Sequence, residues 1–363
     1  MKKGLLAIVF LLALFPYNSY GMQSAFDVQP WFAFAACFLL LIDFSKVLSM
    51  PRKGYGYCLL MVCLWEILLL LTVHAINDKV PVFNFLRTSY KYVIILLCLF
   101  ISYYYDFLEQ DLYSRLLKCS IIAWALMANI QFILKKPLIS FLLPRVSFYY
   151  GRNFAIGFAP EPSFFAKMMI SMMMLSSFMT YRQKDRIVIN ILVTECVLLS
   201  ASLSGILILV LYWALRLINY LIHDMNSFSE TIKRLMLVFV SAFGLYLVVA
   251  AIMPLISDVN FGRAMDVIRN ISHFGMEAIL NDESFSRRLI QITNIRYIFN
   301  YGLVQGVGIP EYPSGGLFGI VYESGVLGFM LVCMIIILTI GTAIRHQRKQ
   351  RFGTLANMLM IVL

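Results

Sequence analysis

Long apolar stretches follow one another along most of this chain, and short links that carry lysine and arginine separate them. One stretch runs from about Leu112 to Leu134 and the next from Pro162 to Met179. Each is close to the ~20 residues that an α-helix needs to cross a bilayer. With 61% hydrophobic residues, 13% charged residues and a mean hydropathy of +0.82, the chain has too little polar surface for a soluble globule. The sequence therefore predicts an all-α, polytopic helical membrane protein with one integral membrane domain, residues 1–363.

The basic links predict how the helices are oriented in the membrane. The positive-inside rule places the clusters at Arg52–Lys53, Arg182–Arg186 and Arg345–Arg351 on the inner side. This orientation gives ten spans, with an eleventh as an option at the C-terminus. It leaves two large external loops, residues 135–161 and 257–314.

Three other boundaries follow from length. Residues 187–222 are apolar but too long for one crossing at a rise of 1.5 Å per residue, so the small residues Ser200–Gly205 are expected to separate two spans. The N-terminal apolar run fits either a cleaved signal peptide or a retained span that reaches Tyr20, and the retained span is the preferred expectation. The final run, Leu355–Leu363, is too short to span. It indicates either a truncated chain or a segment in the membrane interface.

The first external loop contains the first candidate for chemistry. The stretch RVSFYYGRNFAIGFAPEPSFFAK begins at Arg145, includes Arg152 and has one carboxylate, Glu161, between two prolines. Proline suits the first turn of a helix, so Glu161 is expected at the N-terminal end of the next span, where the helix dipole favours an anion. The alternative is that Glu161 only caps that helix and Arg152 only anchors to lipid headgroups.

The second external loop and the span after it contain the other candidates. Arg287 and Arg288 are adjacent, and Arg287 and Gln291 lie on one polar stripe at helical spacing, for which a solvated helix face is the alternative. Glu323 lies inside the predicted tenth span, where a carboxylate is unfavourable enough to suggest a function.

The charges of both loops indicate an anionic ligand outside the membrane. Short external loops normally avoid lysine and arginine, so their retention needs a reason. Guanidinium groups bind phosphates bidentately and stay charged at any pH. A transferase with a lipid-pyrophosphate donor would need arginine at the departing diphosphate and a carboxylate to deprotonate the attacking hydroxyl. The catalytic candidates are Arg152, Glu161, Arg287 and Arg288, and the substrate-binding candidates are Arg145, Gln291 and Glu323.

Several other classes of site and partner are not expected. All seven cysteines fall in apolar runs with no CxxC spacing, which predicts neither a disulfide nor a metal site, and no cofactor is expected. The net charge of +11 lies mostly in short links, where it sets topology and meets lipid headgroups, so nucleic acid is not an expected partner. Enzymes that use a nucleotide-sugar donor often hold its metal with two acidic residues at i and i+2. Glu109 and Asp111, in a short link, are the one such pair in the sequence, so a nucleotide-sugar donor is not expected.

Four short motifs occur in a consistent order over about half of the chain. They are GRNFAIGFAPEPSFFA at Gly151–Ala166, SASLSG at Ser200–Gly205, SFSRR at Ser284–Arg288, and GVG at Gly306–Gly308 with ESGVLG at Glu323–Gly328. In this order and topology the chain resembles the bacterial O-antigen polymerases and, more broadly, the superfamily of O-antigen polymerases and ligases.

The resemblance implies a GT-C-like glycosyltransferase in the bacterial inner membrane. Its partners would be an undecaprenyl-pyrophosphate-linked oligosaccharide and membrane lipid, with a chain-length regulator protein as a further candidate. It also implies that arginines of both large periplasmic loops are functional, which carries over to Arg152 and to Arg287 or Arg288.

Two alternatives to a polymerase remain open. Ligases of the superfamily tend to carry a histidine in the last large external loop just before the final spans, and residues 312–316 have none, which favours polymerase over ligase. The superfamily also often shows an arginine after the serine of the span-seven turn, but here Leu203 follows Ser202. A flippase or transporter for the same lipid-linked glycan would use buried carboxylates such as Glu66 and Glu195. No repeated halves are visible, and the charges are concentrated on one face, which favours an enzyme.

Overall fold

The computed structural model describes part of the chain, and that part is helical. The described residues are 2–19, 28–42, 90, 93–94, 97, 110–144, 146, 154–177, 179, 181–222, 304, 306, 321, 323–330 and 333. All regular structure in these residues is helical, and they contain no strand. The predicted all-α class is therefore confirmed for the described part of the chain.

Six α-helices and one short 3-10 turn are described in full. They are α1 (Lys2–Leu14), α2 (Trp31–Ile42), α3 (Gln110–Leu134), the 3-10 turn Ser140–Leu142, α4 (Pro162–Ser177), α5 (Gln183–Leu199) and α6 (Leu203–Ile222). Residues 323–330 are also helical. The chain divides into two compact units, Met1–Ser120 with Asn270–Thr342 and Ile121–Arg269 with Ala343–Leu363. The single membrane domain stays a prediction.

Helix α3 matches the apolar stretch predicted at residues 112–134. Among the described residues, its segment Asp111–Leu134 is the one helix that is long and apolar enough to cross a membrane, by length and composition. Three shorter helical stretches, Lys3–Leu14, Trp31–Ile42 and Ser204–Leu217, are also apolar. At its C-terminal end Lys135 adopts a left-handed backbone with φ 53°, which ends the helix where the predicted loop begins.

One face of α3 is fully buried. Leu117, Ile121, Trp124, Ala128 and Gln131 are each 0% exposed. Their spacing alternates between four and three residues, which places them in one stripe along a helix. Four members of the stripe are apolar, whereas the last carries an amide. That amide is the polar group around which the candidate site is built.

In the first unit, α1 packs against α2. Their shared core includes Val9, Phe32, Ala36 and Leu39. Near the start of α2, the Tyr90 hydroxyl donates a hydrogen bond to the Gln29 carbonyl over 2.8 Å.

The expectation that the first helix reaches Tyr20 is wrong. Helix α1 ends at Leu14, and residues 15–17 form a bend and a turn. Pro16 explains the ending, because its ring disfavours the helical conformation at the preceding residue and it has no N–H to donate. The Pro16 carbonyl then accepts a hydrogen bond from the Gln29 N–H over 2.7 Å, just before α2 begins.

In the second unit, α4 packs against both α5 and α6, and α5 packs against α6. Helix α4 is buried on most of its surface, with side chains that are largely methionine or aromatic: Phe165, Ala166, Met169, Ile170, Met172, Met173, Met174 and Ser176. Methionine is unbranched and fills irregular gaps between helices. Three basic residues that were predicted to form a link between two spans instead lie at the start of α5. Arg182 is its N-cap residue, and Lys184 and Arg186 lie in its first turn, all exposed.

The predicted break within residues 187–222 is confirmed, because a three-residue turn separates α5 from α6. That each helix crosses a membrane stays a prediction. Ala201, in the middle of this turn, has a left-handed φ of 49° and donates its N–H to the Leu198 carbonyl over 3.0 Å. The Ser200 hydroxyl donates to the Val197 carbonyl over 2.6 Å and accepts the Ser202 N–H over 3.2 Å. In a Schellman ending the Ser202 N–H would donate directly to the Val197 carbonyl. Here the Ser200 hydroxyl lies between these two groups and bonds to both.

The left-handed backbone at Ala201 yields a stability prediction. A residue with a Cβ costs about 1 kcal/mol or more in this conformation, whereas glycine adopts it freely. We expect Ala201→Gly to raise the free energy of unfolding by about 1 kcal/mol, measured as a higher melting temperature of the detergent-solubilised chain. Ala214→Gly is the matched control, because Ala214 is exposed within α6. Glycine in a helix interior costs about 0.5 to 1 kcal/mol, so the control should shift the opposite way. Destabilisation by both variants would contradict the assigned turn.

Candidate active site

The structure places two of the seven candidate site residues. Glu161 lies in the second unit and Glu323 in the first, and each is described with the residues around it. Arg145, Arg152, Arg287, Arg288 and Gln291 lie outside the described residues.

The backbone just before α4 is buried although it is not helical. In this segment, here called the 154–161 loop, Phe154, Ala155, Ile156 and Ala159 are buried. A buried backbone N–H or C=O without a hydrogen bond costs about 1 to 3 kcal/mol, so a loop in this position needs partners from other elements.

The Gln131 side chain supplies three of these hydrogen bonds. Its Oε1 accepts the Ile156 N–H over 3.1 Å and the Gly157 N–H over 2.8 Å. Its Nε2 donates to the Gly157 carbonyl over 2.9 Å. The Gln131 amide therefore bonds to both the N–H and the carbonyl of Gly157, and it reaches them from the buried face of α3.

Two further backbone hydrogen bonds close the loop on itself and on α5. The Ala159 N–H donates to the Ile156 carbonyl over 2.9 Å, which forms a turn. The Ala155 N–H donates to the Leu199 carbonyl over 2.8 Å. Leu199 is the last residue of α5, where a carbonyl has no partner within the helix. The Ala155 N–H of the loop and the Leu199 carbonyl at the end of α5 thus supply each other's hydrogen bond.

Aromatic rings cover the other side of Gly157. The Trp124 ring stacks on Phe165 with centroids 5.7 Å apart and 11° between the planes, and it meets Phe158 edge-on at 5.2 Å. Gly157 has a left-handed φ of 54°, and a Cβ built there would lie 2.8 Å from ring atoms of both Trp124 and Phe165. Glycine is therefore required both by the backbone conformation and by the space.

Glu161 is the last residue of this loop and the first of the helical hydrogen-bond pattern. Its carbonyl accepts the Phe165 N–H over 3.1 Å, and α4 begins at the next residue, Pro162. The expected position at the N-terminal end of the helix is confirmed. Glu161 is half-buried, whereas Ala159 and Pro160 just before it are buried, so it lies where the chain leaves the buried region. There the helix dipole stabilises a negative charge.

The SASLSG motif contacts the same region. Ser202 caps α6, because its hydroxyl accepts the Gly205 N–H over 3.3 Å, and this hydroxyl also lies 3.2 Å from that of Ser204. A Cβ on Gly205 would overlap the Cβ of Ala166 on α4. This close contact joins the Gly151–Ala166 motif to the Ser200–Gly205 motif, and the bond from Ala155 reaches Leu199, the residue just before the second motif.

The first unit contains a second convergence of motifs. A Cβ on Gly306 would lie 2.5 Å from backbone atoms of Glu323 and Gly325, and a Cβ on Gly325 would lie 2.5 Å from the backbone of Gly306. The GVG and ESGVLG motifs therefore approach each other backbone to backbone. Glu323 beside this contact is only 2% exposed. Within the described ranges, no cluster of three or more His, Cys, Asp or Glu side chains could hold a metal ion.

Sequence reasoning did not identify Gln131 or Trp124 as part of the site. Both lie within an apolar stretch that was read only as a span. The available signal was the glutamine itself, because a polar side chain near the end of a buried stripe needs partners for its donors and its acceptor. Which groups it would meet could not be read from the sequence, since Gly157 lies 26 residues further along the chain.

The packing around Gly157 yields a second prediction. We expect Gly157→Ala to lower the free energy of unfolding by about 2 to 4 kcal/mol, from backbone strain together with overlap with the Trp124 and Phe165 rings. Thermal unfolding of the solubilised chain measures the change. Gly4→Ala provides the control, because a Cβ at Gly4 in α1 meets nothing within 4 Å. Equal melting temperatures for the Gly157→Ala variant and the unmodified chain would show that the loop does not pass between these rings.

A scan of the chain against protein-family models found no match, and a search of curated proteins found none either.

Proposed function

We propose that the chain is a polytopic glycosyltransferase of the bacterial inner membrane that polymerises a surface polysaccharide, as the O-antigen polymerases it resembles do. In this proposal it transfers an undecaprenyl-pyrophosphate-linked glycan onto a new lipid-linked repeat unit at the periplasmic face. The helical membrane fold would be GT-C-like, with the loops 135–161 and 257–314 outside.

The outward faces of the described helices support a location in the membrane. Leu41 on α2, Ile133 on α3 and Leu207 on α6 are 68%, 73% and 61% exposed. Large apolar side chains that recur on outer helix faces are unfavourable in water and suited to lipid. Four of the described helices, α1, α2, α3 and α6, include an apolar stretch that is either a candidate span or a shorter apolar helix.

The observation that carries the proposal is the packing at the 154–161 loop. Two of the motifs on which the resemblance rests, Gly151–Ala166 and Ser200–Gly205, are distant in sequence yet meet where Gly205 packs against Ala166. Ala155 of the first motif also bonds to Leu199, the residue just before the second. The loop held in this way ends at Glu161, whose backbone starts α4. In the proposal, the Glu161 carboxylate and the Arg152 guanidinium are the two groups that glycosyl transfer from a diphosphate requires.

In the proposed reaction, Glu161 accepts the proton of the attacking sugar hydroxyl. The hydroxyl oxygen forms a bond to the anomeric carbon of the donor glycan, and the bond between that carbon and the diphosphate oxygen breaks. The electron pair leaves with undecaprenyl pyrophosphate, whose charge the Arg152 guanidinium offsets. The resemblance also implies a functional role for Arg287 or Arg288. Arg145 and Gln291 would bind the substrate, and Glu323 is the second candidate base.

The polysaccharide of a deletion strain tests the proposal as a whole. Silver-stained lipopolysaccharide with a single capped repeat is the result expected for a polymerase. Loss of all O-antigen would indicate a ligase or a flippase, for which Glu195, half-buried on α5, is a candidate group. An unchanged ladder would contradict the proposal.

The role of Glu161 is tested by removing its charge. In the complemented deletion strain, we expect Glu161→Gln to give mainly single-repeat lipopolysaccharide at a normal protein level. Glutamine still accepts a hydrogen bond at a helix N-terminus but cannot take a proton from a hydroxyl. Asp185→Asn is the matched control, because Asp185 is the acidic residue in the first turn of α5. A full-length ladder from Glu161→Gln would leave Glu161 as a cap and make Glu323 the base to test.

The arginine pair of the second loop is tested against another arginine of the same loop. We expect Arg287→Ala or Arg288→Ala to slow polymerisation about 10- to 100-fold, because one charge-assisted contact contributes roughly 1.5 to 3 kcal/mol. Arg263→Ala should have a smaller effect, since Arg263 lies outside the motif. Radiolabelled glycan chain length over time measures the rate, and equal losses at all three positions would indicate general surface charge.

A further inference from the structure

We infer that Gln131 is a positioning residue for the transfer reaction: its amide fixes the backbone that carries Glu161 while the residue itself stays away from the substrate. The inference rests on the proposed function, in which Glu161 is the base. Gln131 is 0% exposed, so a glycan outside the protein cannot reach it. Any effect of Gln131 on catalysis must therefore pass through the loop.

The first half of the connection runs from Gln131 to the turn of the loop. The amide holds the N–H groups of Ile156 and Gly157 and the carbonyl of Gly157. The carbonyl of Ile156 then accepts the Ala159 N–H. Two residues whose peptide groups are held in this way cannot rotate without breaking buried hydrogen bonds.

The second half runs from the turn to the carboxylate. Pro160 is buried, and its ring fixes its own φ. Glu161 follows, with its carbonyl in the first hydrogen bond of α4. The Ile156–Ala159 bond, the Pro160 ring and the first hydrogen bond of α4 therefore restrict the backbone between the Gln131 amide and the base. A shift of about 1 Å in a catalytic group can lower a rate about 100-fold, so this connection matters for the reaction rate.

The amide chemistry suggests which replacements separate positioning from packing. The site needs one donor, to the Gly157 carbonyl, and one acceptor for two N–H groups. Methionine has a similar length and packs well, but it supplies neither bond. A protonated carboxyl group supplies both, whereas a carboxylate cannot donate to the carbonyl.

The main experiment compares kinetic constants of full-length variants in detergent or nanodiscs, with the purified undecaprenyl-pyrophosphate-linked repeat unit as substrate. We expect Gln131→Met to lower kcat about 10- to 100-fold while KM changes less than about threefold. Asn129→Leu is the control on the same helix, because the Asn129 amide donates within α3, to the Ala125 carbonyl over 3.0 Å. That variant should keep the unmodified kcat.

A pH series reports on the hydrogen-bond donor that the Gly157 carbonyl needs. Burial favours the neutral form of the carboxyl group introduced by Gln131→Glu, and the neutral form restores the donor to Gly157. Its protonated fraction falls as the pH rises. The kcat of Gln131→Glu relative to that of the unmodified chain should therefore rise as the pH is lowered from about 8 to about 6. A constant ratio over this range would count against the positioning role.

Hydrogen exchange of the 154–161 loop tests the contact without any substrate. In Gln131→Met the Ile156 and Gly157 amides lose their acceptor, so peptides covering the loop should exchange faster than in Asn129→Leu. If Gln131→Met exchanges faster but keeps the unmodified kcat, the positioning role is overturned. If Glu161→Gln is inactive under the same conditions, the proposed function still stands. Absence of transfer by the unmodified chain would overturn both.

Discussion

The second unit depends on one constraint, which is that a non-helical backbone is buried between helices and every one of its polar groups needs a partner. The Gln131 amide meets this requirement for Ile156 and Gly157 with three hydrogen bonds. The Leu199 carbonyl meets it for Ala155. Without these partners, each buried N–H or C=O would cost about 1 to 3 kcal/mol, comparable to a large part of the stability of a domain. The path of the loop is therefore determined by where α3 and α5 present these groups.

The same constraint explains why the backbone of Glu161 has a fixed position. Glu161 follows the last fixed turn of the loop and starts α4, so its backbone is held on both sides. In the proposed reaction, a base on such a backbone would lose little conformational freedom when substrate binds, which is the physical content of preorganisation.

Sequence periodicity and turn chemistry predicted much of the local structure. Helices α3 and α4, the break at residues 200–202 and the position of Glu161 at a helix N-terminus all follow from apolar length, small residues and prolines. The end of α1 at Leu14 was missed, because apolar length was given more weight than Pro16. Gln131 was missed for a different reason: its importance depends on a contact across 26 residues, and no local pattern encodes such a contact. The five arginine and glutamine candidates stay predictions, as do the external loops assigned to them, since these residues lie outside the described part of the chain.

The motifs behind the family resemblance contain two kinds of residue, and they support different conclusions. Gly157 and Gly205 stand where a Cβ would collide with Trp124 and Phe165 or with Ala166, so their identity is explained by packing alone. A similar set of glycines in another protein would indicate a similar arrangement of helices, without saying what reaction occurs there. Glu161 is different, because the hydrogen bond with which it starts α4 is made by its main-chain carbonyl, and its carboxylate enters the argument through the proposed reaction. The glycines of the motifs therefore support the fold, and the functional inference rests on Glu161 together with the arginines of the loops.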